Sequence, residues 1–292
     1  MNIFTKNNYA NALEKFSIDV NLSEFEQYLK PKYAESYIPL IMSYVRRFKH
    51  LVSNNSNLRE LDSLSNSNKN NTINSLIIFA KYIGVNDEFK NRLKKYGIKS
   101  HRPNTYDSFM RILGSNSKSD VLDWYNDAIS KLSRNDGLFL KYCLMSGLRR
   151  SEAVLSFNKI IKLSKANQLA EYYDSNLECL YHFKYREFIR GTKNCLITFL
   201  KPEFIIQIAN STPISNRTFR YSLDRNGIKC RVKELRRFFA TFMLQHNILE
   251  GEVNMLQGRI NSILFKNYFS PKLLELRDRI FKALKDLEQS IN

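Results

Sequence analysis

Apolar residues recur at helical spacing over most of this chain, and that periodicity limits its fold more than any other feature. Residues 37–45 show the pattern in the N-terminal third. In the C-terminal half, Leu235, Phe239, Phe242 and Met243 fall at i, i+4, i+7 and i+8 and would form one stripe on a helix. Stripes of this kind must be buried against neighbouring helices, so the spacing predicts a mainly α protein.

One region departs from the helical pattern. Two β-like runs, 179–185 and 195–200, flank the glycine-containing segment Arg190-Gly-Thr-Lys193. Such a pair of runs predicts a hairpin with Lys193 at or just past its tip. The predicted fold class is therefore mainly α with a small antiparallel β-sheet.

The length of 292 residues is enough for two ordinary domains. Residues 1–97 predict a helical bundle in which the polar stretches 53–57 and 65–71 are turn-rich breaks. Residues 97–105 combine glycine, proline and polar residues without apolar periodicity, which indicates a linker at residues 98–105. Residues 106–292 form the second predicted domain.

The chain is strongly basic, with 46 Lys and Arg against 28 Asp and Glu and a net charge of +18. Both predicted domains share the excess, which favours a nucleic acid as the partner of both. No apolar run approaches the roughly 20 residues of a membrane-spanning helix, and the N-terminus lacks the apolar core of a signal peptide. We therefore expect a cytoplasmic, DNA-associated protein without a membrane partner.

Several kinds of chemistry lack the residues they need. The four cysteines are widely spaced without a C-x-x-C pair, which argues against a zinc site or disulfides and predicts four reduced core residues. Carboxylates do not cluster as a two-metal site requires, and no phosphate-binding loop for ATP is present. The four histidines suggest no ligand set or triad. We expect neither a metal nor a cofactor.

The segment from Arg231 to Met243 concentrates positive charge at a predicted helix N-terminus. Lys233 and Arg236 lie three residues apart and would share a face. A helix N-terminus favours phosphate, whereas cations there oppose the helix dipole, so a functional reason is plausible. A solvated basic face is the competing interpretation of this segment alone.

Three short motifs in order resemble those of the tyrosine recombinases. Ser146-Gly-Leu-Arg-Arg-Ser-Glu152 is similar to their first box, and Lys233-Glu-Leu-Arg-Arg-Phe-Phe-Ala-Thr241 to the second, usually H-x-L-R-H-x-F-A-T. Leu256-Gln-Gly-Arg259, followed by Asn267-Tyr268, resembles the closing box and its nucleophilic tyrosine. The resemblance covers roughly residues 146–270. Lysine or arginine replaces the usual histidines at 233, 237 and 259, a pattern most similar to integrases of archaeal viruses and plasmids.

The resemblance implies a set of catalytic residues. They are Arg149, Lys193, Lys233, Arg236, Arg259 and Tyr268. Tyr268 would attack a DNA phosphodiester, Arg149 and Arg236 would stabilise the charge on its non-bridging oxygens, and Lys193 would protonate the leaving 5′ oxygen. Lys233 would be an accessory acid, base or phosphate contact, and Arg259 would help to hold the transition state. Glu152 and Glu234 would support the arginines and the helix.

The same resemblance implies the partners and the arrangement. The two domains would form a C-shaped clamp on a double-stranded attachment site, and a homotetramer would assemble on two duplexes. The amphipathic helix 273–287 would dock on a neighbouring subunit, although its apolar stripe equally suits burial on its own domain. Candidate backbone contacts are Arg46, Arg47, Lys94, Lys95 and Arg237.

The expected function is site-specific DNA recombination through a 3′-phosphotyrosyl intermediate, needing neither metal nor ATP. Integration or excision of a viral or plasmid genome is the leading interpretation. An Xer-like chromosome- or plasmid-dimer resolvase, a type IB topoisomerase-like enzyme and a non-catalytic DNA-binding protein stay open.

Overall fold

The computed structural model describes residues 20–100, 106, 109–110, 118–189, 194–259 and 272–291, and this part of the chain is mainly helical with one small sheet. Contacts divide the chain into two units, residues 1–114 and 115–292. The boundary lies C-terminal to the predicted linker, of which residues 101–105 are outside the described part.

The first unit is a helical bundle with its own core. Its helices are α1 (Leu22–Leu29), α2 (Ile38–Phe48), α3 (Asn66–Tyr82) and α4 (Asn86–Lys95), with 3-10 turns at Glu35–Tyr37, Lys49–Val52 and Leu58–Ser63. α3 packs against the other three helices, and α1 also packs against α2. Phe25, Ile41, Val45, Leu76 and Phe89 are among the buried residues between them.

The break predicted at residues 65–71 is wrong, because α3 begins there. Ser65 caps the helix, its Oγ accepting from the Asn68 N–H at 3.5 Å, and the Thr72 hydroxyl donates to the Asn68 carbonyl at 2.8 Å. Lys69 pairs with Asp62 at 2.6 Å. Asparagine and serine have low helix propensity, but capping and tertiary contacts override it in these first turns.

The second unit is larger and also mainly helical. Its helices are α5 (Lys118–Lys131), α6 (Arg134–Ser146), α7 (Arg150–Lys165), α8 (Pro202–Ala209), α9 (Asn216–Arg225), α10 (Val232–Gln245), α11 (Glu250–Leu256) and α12 (Leu273–Gln289). α10 packs against α5, α6, α11 and α12. The predicted stripe of Leu235, Phe239, Phe242 and Met243 is confirmed, because all four side chains are buried in the core.

A three-stranded antiparallel sheet completes this unit. It consists of β1 (Tyr173–Asp174), β2 (Cys179–Tyr181) and β3 (Ile197–Phe199) in the order β1-β2-β3, with Leu180 opposite Thr198. The antiparallel pairing of β2 with β3 confirms the predicted sheet, but β1 was not predicted. β2 also ends four residues earlier than the β-like run, since 3-10 turns follow at His182–Lys184 and Arg186–Phe188.

A buried chain of polar side chains begins at His182, directly after β2. The His182 ring is fully buried and lies 2.5 Å from the Tyr172 hydroxyl and 2.8 Å from the Thr198 hydroxyl. The Tyr172 hydroxyl is 2.8 Å from the Ser156 hydroxyl, which the Tyr142 hydroxyl approaches at 2.5 Å. Burial lowers the pKa of His182 to about 3, so the imidazole is neutral in the folded protein.

Two asparagines hold the connection between α8 and α9. The Asn158 amide donates to the Ile214 carbonyl and accepts from the Ile214 N–H, both at 2.8 Å. Asn135 pairs with Thr212 in the same way at 3.1 and 3.2 Å. The two side chains thus satisfy backbone groups that a regular strand would otherwise pair.

The C-terminal helix α12 packs on its own unit. Leu276, Ile280, Leu284 and Leu287 are buried in the core, and Arg279 pairs with the buried Glu252 of α11. The sequence left this arrangement open beside docking on a neighbouring subunit.

Three of the four cysteines, Cys143, Cys179 and Cys195, are buried in the core, as predicted. The prediction is wrong for Cys230, which is exposed in the turn before α10. No helix of the described residues is both long and apolar enough to cross a membrane.

Candidate active site

Arg236 lies in the buried face of α10, which corrects one expectation. Its side chain is only 8% exposed, whereas Lys233 is exposed. The two cations therefore do not share a solvent-facing surface. Arg236 instead follows Leu235 into the interior, where a guanidinium needs hydrogen-bond acceptors to offset the loss of water.

Two backbone carbonyls supply those acceptors. The Arg236 Nη1 donates to the carbonyl of Gly147 at 2.9 Å, and Nη2 donates to the carbonyl of Gln257 at 2.7 Å. Gly147 follows α6 and Gln257 follows α11, so two separate segments fix the plane of the guanidinium. In the described part of the chain, no carboxylate is hydrogen-bonded to Arg236. The two carbonyls orient its positive charge, and the Glu152 carboxylate acts on that charge through space.

Gly147 is required for this arrangement on two counts. Its φ of +61° is in the left-handed region, and a Cβ built on it would lie 2.3 Å from Cδ1 of Phe239. The end of α6 therefore approaches α10 more closely than any other residue type would permit. This approach brings the Gly147 carbonyl within reach of Arg236.

Arg149 stands immediately before α7 and is aimed by Glu152. Nη1 of Arg149 donates to the Glu152 carboxylate at 2.7 Å, and the Arg149 backbone N–H donates to the same carboxylate at 3.2 Å. Nη1 also lies 3.4 Å from the carbonyl of Asn194. Glu152 is 1% exposed and Arg149 is 27% exposed, so the carboxylate is interior and the guanidinium reaches towards solvent.

Arg259 follows α11 and is exposed. Its backbone N–H donates to the Asn254 carbonyl at 2.7 Å. The preceding Gly258 has a φ of +63°, and a Cβ there would lie 1.8 Å from the carbonyl oxygen of Asn194. Asn194 is therefore in close contact with the segment that carries Arg259, and its carbonyl also faces Arg149.

The three arginines act on one another electrostatically. Burial, with the positive charges of Arg149 and Arg259, lowers the pKa of Arg236 to about 10, while the Glu152 carboxylate opposes that shift. Arg236 stays protonated at neutral pH. Glu152 acts on Arg149 and Arg236, and Arg259 adds a further positive charge to the same cluster. An anion such as a phosphodiester stabilises a cluster of this kind.

Contacts with α5 fix the start of α10. The Trp124 indole donates to the Lys229 carbonyl at 3.0 Å, and Arg231 donates to the Asp120 carbonyl at 3.0 Å. Arg231 also pairs with Glu234 at 2.6 Å. Glu234 thus holds the first turn of the helix through Arg231, in keeping with the support role predicted for it.

The structure brings together three of the six predicted catalytic residues, namely Arg149, Arg236 and Arg259. Lys233 lies on the same helix as Arg236 but on its exposed side. Lys193 and Tyr268 lie outside the described residues. The nearest described positions along the chain are Asn194, directly after Lys193, and Lys272, four residues after Tyr268.

The predicted backbone contacts are all exposed side chains. Arg46 and Arg47 lie in the last turn of α2, Lys94 and Lys95 in the last turn of α4, and Arg237 on α10. Arg92 of α4 has a different role, because its guanidinium donates to the carbonyls of Leu51, Val52 and Ser56 in its own unit.

Sequence reasoning missed Gln257 and Asn194. Gln257 accepts from Arg236 through its backbone, and its side-chain Nε2 donates to the Arg236 carbonyl at 2.9 Å. No local pattern reveals such contacts, since they join distant segments. The sequence feature that could have indicated a role for Gln257 was its position inside the Leu256–Arg259 motif.

No protein-family model matches this sequence, and no curated protein matches it. In the described part of the chain, no three side chains of His, Cys, Asp or Glu come together as a metal site would require.

Proposed function

We propose that this protein is a tyrosine-type site-specific DNA recombinase. In the proposed reaction the Tyr268 oxygen attacks a DNA phosphorus, a 3′-phosphotyrosyl bond forms, and the 5′ oxygen leaves with a proton. Attack by a 5′-hydroxyl of another strand reverses the step and releases Tyr268. The bond energy is kept in the phosphotyrosyl link, so resealing needs no ATP.

The observation that carries this proposal is the buried guanidinium of Arg236, to which no carboxylate of the described residues is hydrogen-bonded. Two backbone carbonyls hold it in a fixed plane, and Arg149 and Arg259 lie near enough to lower its pKa. Burying a cation beside other cations is costly unless an anion binds there. A phosphodiester approaching its pentacoordinate state is an anion whose charge grows on its non-bridging oxygens, and preoriented guanidinium groups stabilise it.

Arg149 suits the same task for a different reason. Glu152 binds one side of the Arg149 guanidinium, and the guanidinium is partly exposed. Arg149 can therefore contact a ligand that arrives from solvent while Glu152 keeps its orientation. Arg236 would then contact the phosphate from the interior and Arg149 from the rim. Arg259 would add charge to the transition state.

Proton transfer is assigned to the lysines. Lys193 would protonate the leaving 5′ oxygen, and the contact of Asn194 with Gly258 and Arg149 ties the residue after Lys193 to the arginine cluster. Lys233, exposed on α10, would be an accessory acid, base or phosphate contact. A tyrosine has a reference pKa of about 10, and the arginine charges would favour its phenolate form.

DNA as the substrate is supported by charge. The chain has a net charge of +18, and α9 adds the exposed residues Arg217, Arg220 and Arg225 to the exposed cations of α2, α4 and α10. Lysine and arginine contacts to phosphates supply most of the non-specific affinity for DNA.

The finer parts of the proposal come from the resemblance to integrases of archaeal viruses and plasmids. They are integration or excision of a viral or plasmid genome, a C-shaped clamp of the two units on a double-stranded attachment site, and a homotetramer on two duplexes. The buried stripe of α12 is occupied by its own unit, so we do not assign the subunit contact to that stripe.

The experiment is a covalent trapping assay. The protein is incubated without metal with nicked duplexes that carry candidate attachment sequences from the DNA flanking its gene, and DNA-linked protein is resolved on a denaturing gel. We expect an adduct from the wild type and none from Tyr268→Phe. A matched control, Tyr221→Phe on the exposed face of α9, should still form the adduct.

The outcomes separate the alternatives. No adduct with any candidate site, while binding to the duplexes persists, would favour a non-catalytic DNA-binding protein. Adducts without site preference, together with relaxation of supercoiled DNA, would favour a type IB topoisomerase-like enzyme. Adducts at a repeat that flanks an integrated element favour the integrase over a dimer resolvase.

A further inference from the structure

Gln257 and Arg236 are joined by a reciprocal pair of hydrogen bonds. Nη2 of Arg236 donates to the backbone carbonyl of Gln257 at 2.7 Å, and Nε2 of Gln257 donates to the backbone carbonyl of Arg236 at 2.9 Å. Each residue therefore uses its side chain to bind the other's main chain. The pairing links the second turn of α10 to the residue that follows α11.

The Gln257 side chain is interior and only half satisfied. It is 1% exposed, and its Oε1 has no hydrogen-bond partner among the residues that the structure describes. A buried amide oxygen without a partner costs about 1–3 kcal/mol. Methionine or leucine would fill a similar volume without that cost, so the fold alone does not require glutamine here.

What the amide does supply is the position of its own backbone carbonyl. The bond from Nε2 to the Arg236 carbonyl holds residue 257 against α10, and the Gln257 carbonyl is one of the two acceptors that fix the Arg236 guanidinium. The other acceptor, the Gly147 carbonyl, comes from a different segment. With one acceptor lost, the guanidinium could rotate about the remaining bond.

We propose that Gln257 is a positioning residue that holds the Arg236 guanidinium in the plane needed for phosphoryl transfer. It acts through Arg236 and does not itself contact the phosphate, since its side-chain amide is closed off from solvent. The inference rests on the proposed recombinase function. It adds that transition-state stabilisation requires the orientation of the Arg236 guanidinium as well as its charge, and that Gln257 maintains this orientation.

The test is Gln257→Met, which keeps the length of the side chain and removes the amide. Its matched control is Gln245→Met at the exposed end of α10. Three quantities are measured for each variant: the single-turnover rate of adduct formation on the nicked duplex, the Kd for the same duplex, and the thermal midpoint.

For Gln257→Met we expect adduct formation to slow by about 100-fold, as a small misplacement of a catalytic group does. The Kd should stay within about threefold, less than the tenfold that 1.4 kcal/mol represents, because many other cations bind the DNA. The thermal midpoint should change little, since the loss of one hydrogen bond is offset by removal of the unpartnered oxygen. Gln245→Met should match the wild type in all three.

Two results would overturn the inference. An unchanged rate in Gln257→Met would show that Arg236 does not need the amide. A fall in rate accompanied by an equal loss of DNA affinity and a lower thermal midpoint would show a role in folding only. If the wild type itself forms no adduct while folded and bound to DNA, the proposed function fails instead.

Gln257→Glu serves as a second variant should the methionine variant not fold. A protonated carboxyl can donate to the Arg236 carbonyl as the amide does, whereas an ionised one cannot. Burial raises the pKa of the introduced carboxyl and the nearby arginines lower it, so the rate relative to wild type should rise as the pH falls through the resulting pKa. A ratio that does not change with pH would contradict the positioning role.

Discussion

The carbonyl oxygen of Asn194 lies against Gly258 so closely that a Cβ at residue 258 would be 1.8 Å from it. Asn194 directly follows Lys193, and Gly258 directly precedes Arg259. Two segments that carry proposed catalytic residues are thus in contact at a point where only glycine fits.

Gly258→Ala should therefore disrupt the site. The new methyl group collides with backbone, which cannot move aside as a flexible side chain can, and the φ of +63° adds strain. We expect adduct formation to fall by at least about 100-fold. Trapping on the nicked duplex measures the rate, and thermal unfolding measures the loss of stability.

Gly227→Ala is the control for backbone strain. Gly227 has a φ of +67°, but a Cβ there meets nothing within 4 Å. It should cost only the strain of the left-handed conformation, about 1–2 kcal/mol, and leave the adduct rate unchanged. Equal effects of the two substitutions would show that the contact with Asn194 does not matter.

Arg236→Ala should slow cleavage severely and leave DNA binding largely intact. Removing one donor that stabilises a transition-state oxyanion slows catalysis by about 100- to 1,000-fold. Arg237→Ala, which removes the neighbouring exposed cation, should instead weaken binding modestly and preserve the reaction. The adduct rate and the Kd are compared for both, and an equal loss of binding in Arg236→Ala would argue against its transition-state role.

Arg279→Met should destabilise the second unit. The Glu252 carboxylate is buried and receives the two Nη groups of Arg279 and the Leu249 N–H, so removing the guanidinium leaves much of a buried charge unpaired. We expect a loss of about 2 kcal/mol in unfolding free energy, because Arg279 is partly exposed and water can take over some of its role.

Lys272→Met is the comparison for that change. Lys272 pairs with Glu275 at 3.0 Å on the surface of the same helix, where both side chains are exposed. Its removal should cost less than about 1 kcal/mol. Urea unfolding followed by circular dichroism gives both losses of unfolding free energy. If the two losses are similar, the buried Glu252 does not depend on Arg279 more than a surface carboxylate depends on its lysine.

The protein should lose stability below neutral pH through His182. Burial holds the pKa of its imidazole at about 3, whereas an unfolded histidine titrates near 6.5. Between these pH values His182 is protonated in the unfolded chain and neutral in the folded protein. The free energy of unfolding therefore decreases as the pH falls, by up to about 1.4 kcal/mol for each pH unit.

His182→Gln removes this titration and keeps a donor and an acceptor. The variant should be less stable than wild type near pH 7 but show a shallower decline between about pH 6.5 and 4. Urea unfolding across that range measures the slope. Identical slopes would mean that other groups account for the acid sensitivity.

Sequence periodicity predicted the parts of the fold that depend on neighbouring residues. The stripe from Leu235 to Met243 is local to one helix, and its burial follows from spacing alone. The short strand Tyr173–Asp174 could not be predicted in this way, because two residues make no pattern and pairing with β2 defines it. The start of α3 was missed because the Ser65 cap outweighs a polar composition.

In the candidate site, too, features local to one segment were predictable and features that join distant segments were not. The motifs around Arg149, Arg236 and Arg259 pointed to three arginines that the structure brings together. The burial of Arg236 was not predictable, since its two acceptors are 89 and 21 residues away along the chain. The sequence placed Lys233 and Arg236 together because they share a helical face, but carbonyls from other segments draw only one of them inward.

The buried polar chain has one more consequence. The Tyr172 hydroxyl donates its one hydrogen to Ser156, so it cannot also donate to His182. The neutral imidazole therefore carries its hydrogen on Nδ1, which donates to Tyr172, and its Nε2 accepts from the Thr198 hydroxyl. The hydrogen bonds thus run in one direction from β3 to α7, and protonating His182 would remove the acceptor that Thr198 uses.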